Sequence, residues 1–137
     1  MAKLKLDLEP DPEVTVIGIS SHVNDYRLCW SINKHLGLEL TRRRKDITEE
    51  NNGTLARYSA YDHVDEMTNA RYILVNNHSA NGSLMREFRH ADYFLVVDNE
   101  LADRSPDLLE EVKKADFVLT AFLLPFNDLR AGYRLLL

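Results

Sequence analysis

The chain has 137 residues, of which 45% are hydrophobic and 28% are charged, with a formal net charge of −5 at pH 7. This composition is typical of a globular protein rather than a disordered one, and the length predicts a single domain over residues 1–137. The acidic balance argues against DNA binding and against a wholly RNA-binding surface, because phosphate contacts depend on Lys and Arg, but it leaves room for a local basic patch.

Alternating or β-branched apolar residues predict strands in the first half of the chain. The predicted strands cover residues 4–8, 14–19, 38–41 and 54–61. Residues 49–53 end in Asn-Gly, which adopts positive φ readily, so we expect the last two strands to form an antiparallel hairpin. Residues 62–69 are polar and predict an irregular segment.

A long helix is predicted over about residues 22–36. Ser20 and Ser21 precede it as candidate N-caps, and Gly37 follows it as a C-terminal stop. Two rows of side chains recur at helical spacing within it. These rows are Val23, Tyr26 and Trp30, and Cys29, Ile32 and Leu36.

The second half of the chain alternates strands with helices. The predicted strands are 71–76, 92–98 and 117–124, and the predicted helices are a short one near 84–90 and a longer one over 106–114. Ser105 is a candidate N-cap for the longer helix, and Glu110 and Lys114 predict an i,i+4 ion pair within it. The strand 117–124 is apolar on both faces, so we expect it to lie centrally in a sheet.

These elements predict an α+β fold. Strand–helix–strand connections of roughly 15 or more residues permit parallel neighbours, whereas the predicted hairpin is antiparallel. We therefore expect a two-layer protein with a mixed, largely antiparallel sheet, two main helices and one short helix, the helices packing mainly on one face. Residues 125–137 end in three leucines and must dock on the body or on a partner.

Cys29 is the only cysteine, so the chain can form neither an internal disulfide nor a thiolate-rich metal site. The first ten residues alternate apolar and charged side chains, unlike a secretory signal. No window approaches the roughly 20 apolar residues of a membrane span. We expect a soluble, cytoplasmic protein with no membrane partner and no cofactor.

The segment 85–93 joins a short helix to an apolar strand and carries Glu87, Asp92 and Tyr93. It resembles the signature of the IPExxxVDY proteins, a small bacterial family. Three other signature positions differ, with Met85, Arg86 and Ala91 standing in place of Ile, Pro and Val. Residues 18–37 are similar to the family's N-terminal block. The resemblance implies a fold and a cytoplasmic location, and it implies no activity.

Six residues of these two similar segments are candidates for binding a partner protein. They are Glu87, Asp92, Tyr93, Asp25, Tyr26 and Arg27. The alternative interpretation is structural: Glu87 and Asp92 would cap or pair with Arg86 or Arg89, and Tyr93 would begin a core strand with its hydroxyl at the rim.

A basic run is the sharpest charge feature of the chain. It consists of Arg42, Arg43, Arg44 and Lys45. Such a run can contact RNA phosphates or an acidic protein partner. It can equally be a solvated strand end whose charges block unwanted pairing, with the acidic residues at 46, 49 and 50 close enough to neutralise it.

The loop 76–83 lies between a strand and a short helix, a position where open sheets often bind ligands. Its candidate ligand-binding residues are Asn77, His78, Ser79 and Asn81. The loop lacks a glycine-rich phosphate-binding motif, and a hydrophilic turn explains its composition as well. The five histidines show no metal-binding spacing, and Cys29 suits the core better than a nucleophilic role.

The sequence contains no recognisable catalytic motif, so we expect a non-catalytic adaptor or regulatory protein rather than an enzyme. It would bind another protein or itself, as in a homodimer, through the helix 22–36 or the apolar C-terminus. The alternatives are an RNA-associated factor that uses residues 42–45 and a small-ligand or enzyme site at the 76–83 loop.

Overall fold

The computed structural model describes residues 14–51, 53–80 and 82–124, and a six-stranded sheet organises them. The strands are β1 Val14–Ser20, β2 Thr41–Arg42, β3 Ile47–Asn51, β4 Thr54–Tyr58, β5 Ala60–Val64, β6 Arg71–Asn76, β7 His78–Ser79, β8 Gly82–Ser83, β9 Tyr93–Asp98 and β10 Thr120–Leu124. The helices are α1 Asp25–Leu36, α2 Asn99–Arg104 and α3 Leu108–Lys114, with a 3-10 turn at Arg86–Phe88. The predictions for residues 4–8, for 125–137 and for Asn81 lie outside the described residues.

The order of the main sheet is β10-β1-β9-β6-β5-β2, and each of its neighbouring pairs is antiparallel. The α+β class is therefore confirmed, whereas parallel neighbours are absent from the part of the chain that is described. The reason is that β1 lies between β9 and β10 and is antiparallel to both. Strands β9 and β10, which are joined through α2 and α3, run in the same direction but are not neighbours.

Both faces of the sheet are covered. The odd-numbered residues of β1 and β9 face the helices, where Ile17, Leu95 and Val97 pack with residues of α1, α2 and α3. The even-numbered residues face the hairpin β3–β4 and the segment 84–91, where Phe94 and Val96 pack with Tyr58 and Met85. The helices lie together on one face as expected. The layer on the other face, formed by the hairpin β3–β4 and the segment 84–91, was not predicted.

Helix α1 begins later than predicted because Asn24 is its N-cap in place of the predicted serines. Asn24 Oδ1 accepts a hydrogen bond from the backbone N–H of Arg27 at 2.9 Å. Ser21 instead donates its hydroxyl to the carbonyl of Phe117. Gly37 ends the helix as predicted, with a left-handed φ of 68°.

The predicted hairpin exists, but it is divided between two sheets. The inner pair is β3 with β4, and the outer pair is β2 with β5 in the main sheet. Residues 60–64 form β5, so the prediction of an irregular segment over 62–69 is wrong at residues 62–64. The prediction failed because Asp62 and His63 are polar, although their backbone pairs fully with β6.

The end of the described chain departs most from prediction. Ser105 ends α2 rather than capping α3, and the ion pairs of α3 join Lys113 to Glu110 and Lys114 to Glu111. The helix predicted near 84–90 is only the 3-10 turn, and α2 was not predicted. Strand β10 lies at an edge among the described strands, so its predicted central place is wrong. The central strand is β9, where residues 93–97 are all buried.

No helix in the described segments has both the length and the apolar composition needed to cross a membrane.

Gly18 lets two strands pack closely. A Cβ atom at this position would lie 2.6 Å from Cε2 and 2.8 Å from Cζ of the Phe122 ring. That ring is half-buried and stacks on the exposed His90 with ring centroids 5.0 Å apart. A side chain at position 18 would therefore overpack this part of the core.

We predict that Gly18→Ala destabilises the protein by about 1–3 kcal/mol, since either the Phe122 ring or the backbone must shift. The free energy of unfolding, measured by urea denaturation, checks this. The double variant Gly18→Ala/Phe122→Leu should lose much less than the two single losses added together. Additive losses would show that the close contact is not the cause.

Candidate interaction surface on the first helix

Helix α1 buries one of its two rows of side chains and exposes the other. Leu28, Cys29 and Ile32 face the sheet and are buried. Tyr26 and Trp30, four residues apart on the outer face, remain 70% and 51% exposed. We call these two side chains the aromatic ridge. An exposed Trp–Tyr pair is unusual on a protein surface and typical of a binding surface.

Two cations of the same helix contact aromatic rings at the ridge. The guanidinium carbon of Arg27 lies 4.7 Å from the centroid of the Phe117 ring. The ammonium of Lys34 lies 5.0 Å from the centroid of the Trp30 ring. These distances suit cation–π attraction, which orients both long side chains along the helix surface.

The aromatic ridge separates two clefts. A cleft of about 280 Å³ on one side is lined by Tyr26, Arg27, Trp30 and Phe117. A cleft of about 370 Å³ on the other side includes Asp25, Tyr26, Trp30, Arg42 and Tyr61 among its lining residues, and we call it the carboxylate cleft. Its volume is in the range of small-molecule and side-chain sites.

Asp25 is the acidic group of the carboxylate cleft. Its Oδ2 accepts a hydrogen bond from the Ser59 hydroxyl at 2.5 Å, and its Oδ1 accepts one from the backbone N–H of Tyr26 at 2.8 Å. Burial raises the pKa of Asp25, but the hydrogen bonds from Ser59, Tyr61 and the Tyr26 amide, together with the charge of Arg42, outweigh burial, so its pKa lies below the usual value. Asp25 is therefore ionised at neutral pH.

Tyr61 and Cys29 lie against the same carboxylate and stay neutral. Burial and the charge of Asp25 raise the pKa of the Tyr61 hydroxyl well above its usual range. Burial, and then the same charge, raise the pKa of the Cys29 thiol to about 11. Because the reactive form of cysteine is the thiolate, Cys29 has the properties of a core residue rather than of a nucleophile.

The basic run is partly neutralised. Arg42 pairs with Asp46 at 3.3 Å, as its proximity predicted, and Arg43 pairs with Asp62 at 2.8 Å. Arg44 and Lys45 are exposed. Arg43 and Lys45 also line a cleft of about 400 Å³, but Asp46 and Asp62 line it too, which gives it mixed charge. Contact with RNA stays a prediction.

Two of the three residues that resemble the signature make structural contacts. Asp92 Oδ2 accepts a hydrogen bond from the backbone N–H of Ser21 at 2.8 Å, and its Oδ1 pairs with His78 rather than with the predicted arginines. The buried Tyr93 donates its hydroxyl to the carbonyl of Val23 at 2.7 Å. Glu87 is exposed on the 3-10 turn. Asp92 and Tyr93 thus join the start of β9 to the segment before α1.

The loop 76–83 divides between structural and exposed residues. Asn77 is fully buried, and its side chain accepts from the N–H of Met85 and donates to the carbonyls of Phe88 and Ala91. No part of its amide faces solvent, so it does not suit the predicted ligand role. His78 and Ser79 are half-buried, and both lie on β7.

His78 links a serine to a carboxylate. Its Nδ1 lies 3.1 Å from the Oγ of Ser83, and its Nε2 lies 3.1 Å from the Oδ1 of Asp92. His78 and Ser83 are also directly opposite each other in the β7–β8 pair. The arrangement resembles the serine–histidine–aspartate order of hydrolases, with the two ring nitrogens exchanged.

Among the residues that the structure describes, no group of three or more His, Cys, Asp or Glu side chains is placed to hold a metal ion. Comparison of the chain with protein-family models, with curated proteins and with solved structures returns no match. The resemblance to the IPExxxVDY proteins is therefore still an expectation.

Four residues of these sites were not singled out from the sequence as candidates. They are Trp30, Ser59, Tyr61 and Ser83. Trp30 carried a usable signal, because it lies four residues after the candidate Tyr26 and so on the same helix face. Ser59 and Tyr61 reach Asp25 only when the helix packs against a distant part of the chain, which gives no local signal, whereas Ser83 is only five residues from His78 and meets it through the local pair β7–β8.

We predict that Asn77→Ala destabilises the protein by about 3 kcal/mol or more, because it leaves one N–H and two carbonyl groups without partners in the core. The free energy of unfolding checks this. Asn76→Ala removes a single half-buried hydrogen bond to the N–H of His78, so it should cost about 1 kcal/mol or less. Equal losses for the two variants would contradict the role assigned to Asn77.

Proposed function

We propose that this chain is a non-catalytic protein-interaction module of the cytoplasm, of the IPExxxVDY type, and that its partner docks on the aromatic ridge. The exposure of Tyr26 and Trp30 side by side on one helix is the observation that carries the proposal. Burying aromatic side chains of this size contributes a large part of the energy of many interfaces, and Trp, Tyr and Arg dominate binding hot spots.

The shape of the surface supports the same proposal. A cleft borders the ridge on each side, so a partner segment can place side chains in both while it covers the two rings. Met67 offers a contrast: it is 90% exposed, but it lines none of the clefts described above. A single exposed apolar side chain of this kind is normal on a surface and needs no binding role.

The partner is either another protein or a second copy of this chain. The two cases differ in a measurable way, because self-association depends on the concentration of the purified protein alone. Light scattering during size-exclusion chromatography would detect a homodimer, and replacement of Trp30 by alanine should then return the protein to the monomer.

We expect that Trp30→Ala removes most partner binding, because it deletes the larger ring of the ridge while its exposed position spares the fold. Affinity capture from the native host, quantified by mass spectrometry, measures this alongside the self-association test. Met67→Ala is the matched control and should retain the same partners.

Proteins retained by wild type and by Met67→Ala, but lost with Trp30→Ala, would support the proposal. If wild type is strictly monomeric and no captured protein depends on Trp30, the proposal fails.

The hydrogen bonds among Ser83, His78 and Asp92 favour a second candidate function, serine-dependent hydrolysis of an acyl group. In such a reaction Ser83 Oγ attacks the carbonyl carbon while His78 takes its proton. His78 then returns the proton to the departing alcohol, and water releases the acid and regenerates Ser83. Asp92, held by the N–H of Ser21, would orient the imidazole.

If this second function exists, a fluorophosphonate probe should label Ser83, because such probes modify serines activated by a neighbouring base. Mass spectrometry of the labelled peptide identifies the site. His78→Ala should abolish labelling, whereas Ser79→Ala, a change one residue away on the same strand, should preserve it. Absence of an adduct on the wild-type protein would remove this candidate.

A further inference from the structure

The carboxylate cleft contains an ionised carboxylate that has no direct ion pair within the described segments. Asp25 is ionised, yet it forms no ion pair within the described segments, since its partners are the neutral Ser59, Tyr61 and the Tyr26 amide. Arg42 lines the same cleft, and its charge helps to lower the pKa of Asp25, but its ion pair is with Asp46. A half-buried carboxylate of this kind is stabilised further by an incoming positive charge.

The walls of the carboxylate cleft favour the same kind of ligand. Tyr26, Trp30 and Tyr61 line it together with Asp25. Aromatic faces attract ammonium and guanidinium groups, and they shield apolar methylene groups from water at the same time. The Trp30 ring already attracts one ammonium group, that of Lys34.

We infer that the carboxylate cleft receives a lysine side chain from a basic segment of the partner protein, with its methylene groups against the aromatic rings and its ammonium at Asp25. The inference rests on the proposed function, since it describes what the partner places beside the aromatic ridge. The net charge of −5 adds to it, because it attracts a basic partner at long range.

The cations near the cleft do not favour an acidic ligand. Arg27 lies over Phe117, Lys34 lies over Trp30, and Arg42 pairs with Asp46. Each already has an attractive partner, so an acidic ligand would have to compete with those contacts. An ammonium that approaches Asp25 has no existing ion pair to displace there.

The test uses three short peptides, acetylated and amidated so that their ends are neutral. They are identical except for a central lysine, norleucine or glutamate. Because Trp30 is the only tryptophan of the chain, its fluorescence reports directly on this site. Two-dimensional NMR titration gives the affected residues and the affinity. Free cadaverine is a fourth probe, which separates a peptide side chain from a small amine.

We expect the lysine peptide to perturb the signals of Asp25, Tyr26 and Trp30 and to change the Trp30 fluorescence. Norleucine and glutamate peptides should bind about tenfold more weakly or not at all, because they lack the charge-assisted hydrogen bond. Asp25→Asn should weaken binding of the lysine peptide about tenfold. Asp103→Asn, an exposed position with the same change in net charge, should leave it unchanged.

Trp30→Leu provides a second test if Asp25→Asn disturbs the start of α1. It keeps the carboxylate and removes an aromatic wall, so NMR should report weaker binding of the lysine peptide with an unchanged unfolding midpoint.

Several results would overturn the inference. One is binding of the glutamate or norleucine peptide as tightly as the lysine peptide, or more tightly. Another is binding of cadaverine without binding of the lysine peptide. A third is undiminished binding of the lysine peptide to Asp25→Asn or to Trp30→Leu. Any of them would leave the proposed function standing, provided that capture of a partner still depends on Trp30. Binding of the lysine peptide at Asp25, together with no Trp30-dependent partner, would instead refute the proposed function and retain the cleft as a lysine site.

Discussion

The hydrogen bonds of Asn77 and Asp92 hold together the three strands at the centre of the sheet. Asn77 follows β6, Asp92 precedes β9, and the N–H of Asn77 donates to the carbonyl of Asp92 at 2.9 Å. Asp92 also donates its N–H to the carbonyl of Ile19 in β1 at 2.8 Å. The side chain of Asn77 forms hydrogen bonds with the backbone of Met85, Phe88 and Ala91 in the segment that follows it. Buried polar groups with every partner present specify one arrangement of the chain, because any other leaves them unsatisfied.

The start of β9 also determines where α1 lies. The Asp92 carboxylate accepts a hydrogen bond from the N–H of Ser21, and the Tyr93 hydroxyl donates one to the carbonyl of Val23. The connection from β1 to α1 is therefore fixed at two points. In the middle of the helix, Ser31 donates its hydroxyl to the carbonyl of Asp116 at 2.6 Å. A helix held in this way presents its outer side chains in a defined arrangement. Preorganisation of this kind reduces the entropy lost on binding.

The signature-like residues therefore divide by role. Asp92 and Tyr93 make contacts that shape the fold, in line with the structural interpretation of the sequence. Tyr26 and Arg27 lie on the exposed face of α1, and Asp25 lies between the two groups, since it bonds to Ser59 and also lines a cleft. The fold and the proposed binding surface thus draw on neighbouring residues of the same segment. A short stretch of chain can then be constrained for both reasons.

The sequence alone determined the α+β class, the long helix with its stop at Gly37, and strands β1, β6 and β9, because apolar periodicity and capping chemistry are local. It placed Cys29 in the core, but it did not determine that the row containing Trp30 is exposed, since the rows containing Trp30 and Ile32 have the same spacing. Nor did it determine that β9 is central while β10 lies at the edge of the described sheet, because both are apolar runs. Only the tertiary structure decided these points and brought Ser59 to Asp25. Each depends on which distant segments pair or pack, and that is a property of the whole chain.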